Sequence, residues 1–333
     1  MQLKNSVPVL YYHRVGTPDP AHLSVSVEEF DQQMNFLARR GYNVIGAETL
    51  YKWVRKEVVI RFPAVCITFD DGFIDNLVCA HPILQKYGFK AALFVATSLI
   101  RPELQKPASV HTDFNNAHTL ARRGDFSHFL SASELYFMKN TSAWEIYPHS
   151  HRHDQIFISS EQTGVFPDTD NHWGILSAWD NPLSENAWPV YKRGAALVNC
   201  GYKANLLPGD IDYSCPAISH AGVVLHKETF AHYERRVKED LQISLGIVQK
   251  MFPDNLPLMC WPWGRATPEL ERLASESGYL GAFRTDTGAN IPGINPFYLR
   301  RFPVKKRGLA RFALGLLLRS NSQLAHLYAM LRN

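Results

Sequence analysis

Apolar residues recur along this chain in two alternating periods. Val7 to Tyr12, Val65 to Phe69, Ala91 to Ala96, Trp144 to Ile146 and Leu258 to Trp261 are short, nearly continuous apolar runs that predict buried strands. Between them, apolar residues fall three and four apart, which is the spacing of one helix face. Ser26 followed by Glu29 has the spacing of a capping box and opens a helix that carries Phe30, Met34 and Leu37 on one face, with Gly41 beyond its end. Ile74 to Lys86 predicts the next helix. Ser131 and Glu134 repeat the capping spacing ahead of Leu135, Phe137 and Met138. Phe230, Tyr233, Val237, Leu241, Leu245 and Val248 form one face of a long helix, and Glu269 to Ser277 predicts another that stops at Gly278. This strand and helix alternation predicts an α/β protein with a largely parallel sheet.

The chemistry sits where these elements end. The run from Val65 to Phe69 closes in Asp70-Asp71-Gly72. Successive side chains of a strand point to opposite sides. Two adjacent carboxylates at its end, where Gly72 lets the backbone turn, can therefore take different roles, one binding a metal and the other taking a proton. Downstream, His149-Ser150-His151-Arg152-His153 places two imidazoles four residues apart. Two imidazoles and a carboxylate are a common way to hold a divalent ion with positions left open, which is hydrolase chemistry.

Thr68-Phe69-Asp70-Asp71-Gly72 and His149-Ser150-x-x-His153 resemble the first two motifs of the polysaccharide deacetylase family, the carbohydrate esterases that share a NodB-like domain. Met259-Cys260-Trp261-Pro262-Trp263-Gly264 resembles the third motif, in the form carried by the branch that acts on poly-β-1,6-N-acetylglucosamine. The resemblance implies a distorted (β/α)7 barrel within residues 1–304. It implies Asp70 as catalytic base, and Asp71, His149 and His153 as ligands of a divalent metal ion, zinc first, with cobalt, nickel or iron also compatible. The substrate it implies is an N-acetylated glycan, giving a free amino sugar and acetate. The arginine usual in the third motif is replaced by Cys260, so another residue is expected to orient Asp70. Arg265, Arg284, Arg300 and Arg301 are candidates, with Arg301 favoured because Tyr298-Leu299-Arg300-Arg301-Phe302 resembles the signature that closes the domain. The family's late Leu-x-x-His has no copy after Trp263, where the only histidine is His326. His13, at the end of the first strand, is the candidate catalytic acid, with His151, His220, His226 and His232 as alternatives. Trp261, Trp263 and Arg301 are the candidate substrate-binding residues, core packing being the alternative for the two tryptophans.

Two segments depart from a compact domain, a polar one at 101–130 and a longer one at 154–226. The second contains Trp173, Trp179, Trp188, Tyr191, Tyr202 and Tyr213. Its aromatics argue for order, and it is expected to be a lid or cap shaping a glycan groove. A length of 333 residues with 46% apolar composition supports a substantial core. Five widely spaced cysteines suggest neither a disulfide framework nor a thiolate metal site. Reduced thiols, the absence of a signal pattern at the start and the lack of an apolar run of membrane-spanning length predict a cytoplasmic protein.

Charge adds one asymmetry. From Arg300 to Asn333 there are eight Lys and Arg and no acidic residue, leaving 27 basic and 31 acidic residues elsewhere. Arg307, Arg311 and Arg319 share a helical stripe, with Leu309, Phe312 and Leu316 on the remaining surface. Residues 305–333 are thus expected to be basic amphipathic helices, either lying on an anionic membrane surface at its inner face or packed on the domain. A peripheral enzyme of this kind would act on a lipid-linked glycan such as a lipopolysaccharide or cell-surface polysaccharide intermediate. Nucleic acid is not expected as a partner. The alternatives from other classes are a catalytically inactive carbohydrate-binding homologue and a membrane-associated scaffold in a glycan assembly complex.

Overall fold

Each strand and helix expected from the apolar periods is present, with boundaries shifted by a few residues. The computed structural model describes residues 5–16, 24–109, 117–169, 172–179, 187–304 and 308–331. The first half holds β1 (Val9–Tyr12), α1 (Val27–Arg39), β2 (Asn43–Ile45), α2 (Ala47–Val54), β3 (Ala64–Asp71), α3 (His81–Tyr87), β4 (Ala91–Val95), α4 (Ala117–Arg122), α5 (Ala132–Asn140) and β5 (Trp144–Pro148). Then come β6 (Gln155–Phe166), α6 (Gly174–Ala178), β7 (Trp188–Ala195), β8 (Tyr202–Lys203), β9 (Ile218–His220) and β10 (Val223–Lys227). The chain finishes with α7 (Phe230–Met251), β11 (Leu258–Cys260), α8 (Pro268–Glu276), β12 (Gly281–Arg284), β13 (Leu299–Arg300), β14 (Phe302–Pro303), α9 (Leu309–Ser320) and α10 (Ser322–Met330).

The parallel strands form two arcs of a distorted barrel. One runs β14-β1-β3-β4-β5 with β2 also on β3, and the other runs β11-β12-β13. No strand pairing joins the arcs among the described residues. At one seam the backbone passes from β13 to β14 through Arg301 alone. At the other, side chains bridge to backbone: Asn255 Nδ2 donates to Ile146 O at 2.7 Å, and His149 Nδ1 lies 2.9 Å from Cys260 O.

β3 is buried along its whole length, so both of its faces matter. Val65, Ile67 and Phe69 pack outward on Phe30, Met34 and Leu37 of α1 and on Leu84 and Leu135 of the helical layer. Ala64 and Cys66 face the interior with Phe94, Tyr147, Leu258 and Phe283. The strand's period of two then turns Thr68 and Asp70 inward as well. The helix expected from Ile74 starts as a π turn at Asn76–Ala80 before α3. The wider turn accompanies two buried anchors: Arg14 donates to Asp75 at 2.9 Å, and Asn76 Nδ2 donates to His13 O at 2.9 Å. Ser131 makes a complete capping box with Glu134, whereas at α1 only the Ser26 half is made. Phe137 and Phe230, expected on buried faces, are exposed.

The described part of 154–226 folds as a five-stranded antiparallel sheet in the order β9-β10-β8-β6-β7, with α6 against it. Trp179 and Trp188 fill its own core with Phe157 and Ile175, so they are unavailable to a groove. In the tail, Phe312 and Leu316 join the outer core, and Phe312 meets Phe36 edge-on with ring centroids 6.1 Å apart. Arg319 leaves the expected basic stripe: its guanidinium lies 4.2 Å from the Phe302 ring centre and 4.7 Å from that of Tyr328. Lys305, Lys306, Arg307 and Arg332 lie outside the described residues. No helix among the described residues is long and apolar enough to cross a membrane.

Candidate active site

Asp70 leaves β3 pointing into the barrel and meets Arg301 at the seam between the arcs. Arg301 Nη1 donates to Asp70 Oδ1 at 2.7 Å and Nη2 to Oδ2 at 2.8 Å. This is the two-pronged geometry that a guanidinium and a carboxylate match best. Nη1 also reaches Thr68 Oγ1 at 3.2 Å, whose hydroxyl donates to Leu10 O at 2.8 Å. Tyr11 and Phe94 cover the guanidinium, with ring centres 4.7 and 5.5 Å away. Burial would raise the Asp70 pKa. The charge of Arg301 opposes it, and with His149, the Arg301 hydrogen bonds and His13 holds the carboxyl down at about 2. Both terminal nitrogens of Arg301 are spent on Asp70 and the side chain is buried, so the expectation that Arg301 binds substrate is corrected: it orients Asp70, filling the place left by Cys260.

Asp71 ends β3 with φ of 72°, followed by Gly72 at 84°. A methyl on Gly72 would stand 3.1 Å from Val95 Cγ1, so glycine is needed both for the turn and for close passage over β4. Ser150, His153 and Trp263 also have positive φ, at 66°, 55° and 61°. Non-glycine residues adopt this conformation at a cost and persist there only when their surroundings hold them, which is common at functional sites. Here the hold is visible. Ser150 Oγ accepts from His153 N at 3.0 Å, and the Asp240 carboxylate of α7 accepts from His151 N and Arg152 N at 2.8 and 3.0 Å.

This loop delivers both histidines to Asp71: the Nε2 atoms of His149 and His153 lie 3.7 and 3.5 Å from Asp71 Oδ1. Because the His149 Nδ1 faces Cys260 O, its Nε2 is the nitrogen turned to the carboxylate. Burial lowers the pKa of both imidazoles, that of His149 to about 4 despite the raising effect of Asp70. Neutral imidazoles around a carboxylate are the donor set a divalent ion requires. Asp70, His149 and Cys260 also converge, but Arg301 occupies both Asp70 oxygens and burial keeps the Cys260 thiol protonated, so that trio is a poor cation site.

His13 stands on the same rim, with Nε2 3.9 Å from Asp70 Oδ2. Of the alternatives, His151 lies against Thr97 Oγ1 at 2.9 Å, His232 pairs with Glu228 at 2.7 Å, and His220 packs on Trp179 and Trp188 inside the insertion. His226 sits in β10 of the insertion sheet, paired with Lys203. Trp263 does face the site: its ring lies 4.9 Å from that of His153 and stacks on Trp173 at 5.4 Å. Trp261 is fully buried among Tyr233, Leu241 and Leu270, which corrects the expectation that it binds substrate. The turn at Pro262, with its positive φ at Trp263, separates the two indoles, so that Trp261 enters the core and Trp263 faces His153. A cavity of about 410 Å³ opens beside His153 and Pro262, lined also by Tyr202, Lys203, His232, Arg235 and Asp240. It is large enough for a sugar residue.

Two residues here had no local signal that single motifs could carry. His118, from α4 in the polar first insertion, reaches the site, with Nε2 3.9 Å from Asp71 Oδ2. Asp240 lies on the apolar stripe of α7 between Val237, Leu241 and Ser244, and a carboxylate on that face was the available clue. Replacing Asp240 with alanine should free the loop's two N–H donors and weaken metal binding by about tenfold, as loss of a supporting contact does. Metal titration of the folded variant measures this.

Residues 60–176 match the family model for Polysaccharide deacetylase. Over 89 residues it is 34% identical to a putative polysaccharide deacetylase, YxkH, of Bacillus subtilis, covering 27% of this chain and 31% of that protein. Over 167 residues it is 28% identical to a poly-β-1,6-N-acetyl-D-glucosamine N-deacetylase of Staphylococcus epidermidis, covering 44% and 49% respectively. The chain therefore spans from under a third to about half of the length of these curated relatives. Among solved structures, a de-N-acetylase from Aggregatibacter actinomycetemcomitans superposes with a TM-score of 0.64 at 18% identity, covering 93% of this chain and all of the other. IcaB from Ammonifex degensii superposes with a TM-score of 0.59 at 17% identity, covering 95% and 99%. These likenesses establish the fold, a mixed α/β architecture with a parallel sheet.

Proposed function

We propose that this chain is a metal-dependent de-N-acetylase that hydrolyses the acetamide of an N-acetylhexosamine, N-acetylglucosamine first, within a glycan. The observation that carries this reading is the convergence of Asp71, His149 and His153 beside an Asp70 already clamped by Arg301. Asp71, His149 and His153 would hold the divalent ion, zinc first among the ions this donor set accepts. Such an ion supplies Lewis acidity, which polarises a carbonyl and acidifies water.

The chain's own residues do the rest. Asp70, ionised at every working pH, is oriented to take a proton from the attacking water. The water oxygen bonds to the acetamide carbon, the carbon–nitrogen bond breaks, and the departing amine takes up a proton while acetate leaves. His13 is the proposed donor of that proton, since it shares the rim with Asp70. The faces of Trp263 and Trp173 offer a flat apolar wall for a sugar ring. The test is acetate release from a panel of soluble and lipid-linked N-acetylhexosamine glycans, with Asp70→Asn as control. Glycan binding without acetate release from any of them would favour the inactive carbohydrate-binding reading.

The tail supports a finer proposal, that the substrate is lipid-linked and met at an anionic, cytoplasmic membrane face. Leu314, Leu317, Leu327, Met330 and Leu331 are exposed on α9 and the α10 end, while Phe312 and Leu316 are used inside. Removing the tail would uncover core, so changing exposed residues is the cleaner test. Leu317→Asp with Leu327→Asp should abolish co-sedimentation with anionic vesicles at low salt and leave turnover of a soluble glycan unchanged. Vesicle binding that survives both changes would remove the membrane from the proposal.

A further inference from the structure

His118 belongs to neither histidine motif, yet its position is specified from several sides. Its ring stacks on Trp173 at 4.2 Å and 12°, and meets Phe73 and Phe129 edge-on at 5.5 and 5.4 Å. Three aromatic neighbours leave the ring little rotational freedom. Its Nε2 is buried without a hydrogen-bond partner and stands 3.9 Å from Asp71 Oδ2, while its ring centre is 5.9 Å from that of His153. A buried imidazole nitrogen without a partner needs an explanation. Aromatic packing accounts for the ring, but a phenylalanine would pack there equally well without a stranded nitrogen.

The distances supply the explanation. The Nε2 atoms of His153 and His149 lie 3.5 and 3.7 Å from Asp71 Oδ1, and that of His118 lies 3.9 Å from Oδ2, so the two oxygens of one carboxylate face all three imidazoles. Two ligands that each stand about 2.0–2.2 Å from one ion are themselves roughly 3–4 Å apart, so all three separations fit a shared centre. One donor atom each from Asp71, His118 and His153 lie within 4.8 Å of one another. We infer that His118 is a fourth protein ligand of the divalent ion, giving a site of three imidazoles and one carboxylate. The inference rests on the metal site proposed above and extends it to the first insertion. Three imidazoles select a borderline ion such as zinc, cobalt, nickel or iron over magnesium or calcium. They also leave fewer positions for water and substrate than two would. Because His118 comes from α4 and leans on Trp173 from the second insertion, the ion ties both insertions to the barrel rim.

The experiment is titration of the metal-stripped full chain with zinc and with cobalt, for wild type, His118→Phe and His153→Ala. His118→Phe keeps the stacking and removes the nitrogen. The expected result is a zinc dissociation constant raised at least tenfold and an altered visible spectrum of the cobalt form, with the melting temperature of the metal-free protein little changed. An unchanged dissociation constant and cobalt spectrum would overturn the inference. So would lost acetate release with metal binding intact, since that would make His118 a proton donor or a packing residue. His118→Gln takes the same readouts if the phenylalanine variant does not fold. His153→Ala separates the two claims: if it too leaves zinc binding unchanged, the metal site itself is wrong, whereas loss of zinc with His153→Ala alone removes only His118.

Discussion

Asp71→Ala, His149→Ala and His153→Ala are each expected to lose bound metal and acetate release together, while Asp70→Asn keeps the metal and loses only turnover. The separation follows from geometry. Asp71 sits between the two histidines at 3.5 and 3.7 Å, so it is a shared corner of their site. Asp70 spends both oxygens on Arg301 at 2.7 and 2.8 Å. Removing one ligand from a compact donor set typically leaves too few to retain a transition-metal ion, and the variant should read as metal-free by elemental analysis. Removing a positioned base lowers turnover by a factor on the order of 10² to 10⁴. Stoichiometric metal in the three alanine variants would refute the ligand assignment. Metal loss in Asp70→Asn would exchange the roles of the two aspartates.

Arg301→Met should have the second largest effect, because it acts on rate and stability at once. Burial is the largest influence on the Asp70 carboxyl and pushes its pKa up, and Arg301 is the main influence that reverses it. Without the guanidinium the carboxyl should titrate above its usual range, so the acid limb of kcat/KM moves towards neutral pH. Leaving a buried charge without its partner costs about 3–5 kcal/mol. The pH dependence has a definite sign. In the wild type the folded pKa is depressed to about 2, so this pair's stabilisation is present above the ordinary carboxylate pKa of 3.8 and is lost as pH falls through about 2. In the variant the folded pKa is raised, so the carboxyl weakens the fold increasingly as pH rises through it. The difference in melting temperature between the two proteins should therefore be larger at pH 8 than at pH 4. A variant with wild-type stability at both values would show that Arg301 does not hold Asp70 as the structure indicates.

The alternation of strands and helices, the Asp70-Asp71 pair and the two histidines of the 149–153 segment were all legible in the sequence, because each rests on local periodicity or on residues a few positions apart. Arg301 could be proposed from Leu299 to Phe302, but its job could not: choosing among four arginines requires knowing that the chain crosses from β13 to β14 beside β1, one strand away from β3. Trp261 and Trp263 look alike as sequence. A turn with positive φ at Trp263 alone decides that one indole enters the core and the other faces His153. Arg319 reads as part of a basic stripe, yet Phe302 and Tyr328 claim its guanidinium once the tail folds back. His118 left no trace, since it stands on a short helix in a polar segment without a period, and the partners that define it come from residues 71, 153 and 173. Local sequence determined which chemistry the barrel rim could carry. Tertiary structure decided which side chains reach that rim, because convergence of separate strands and insertions is set by packing that no short-range pattern encodes.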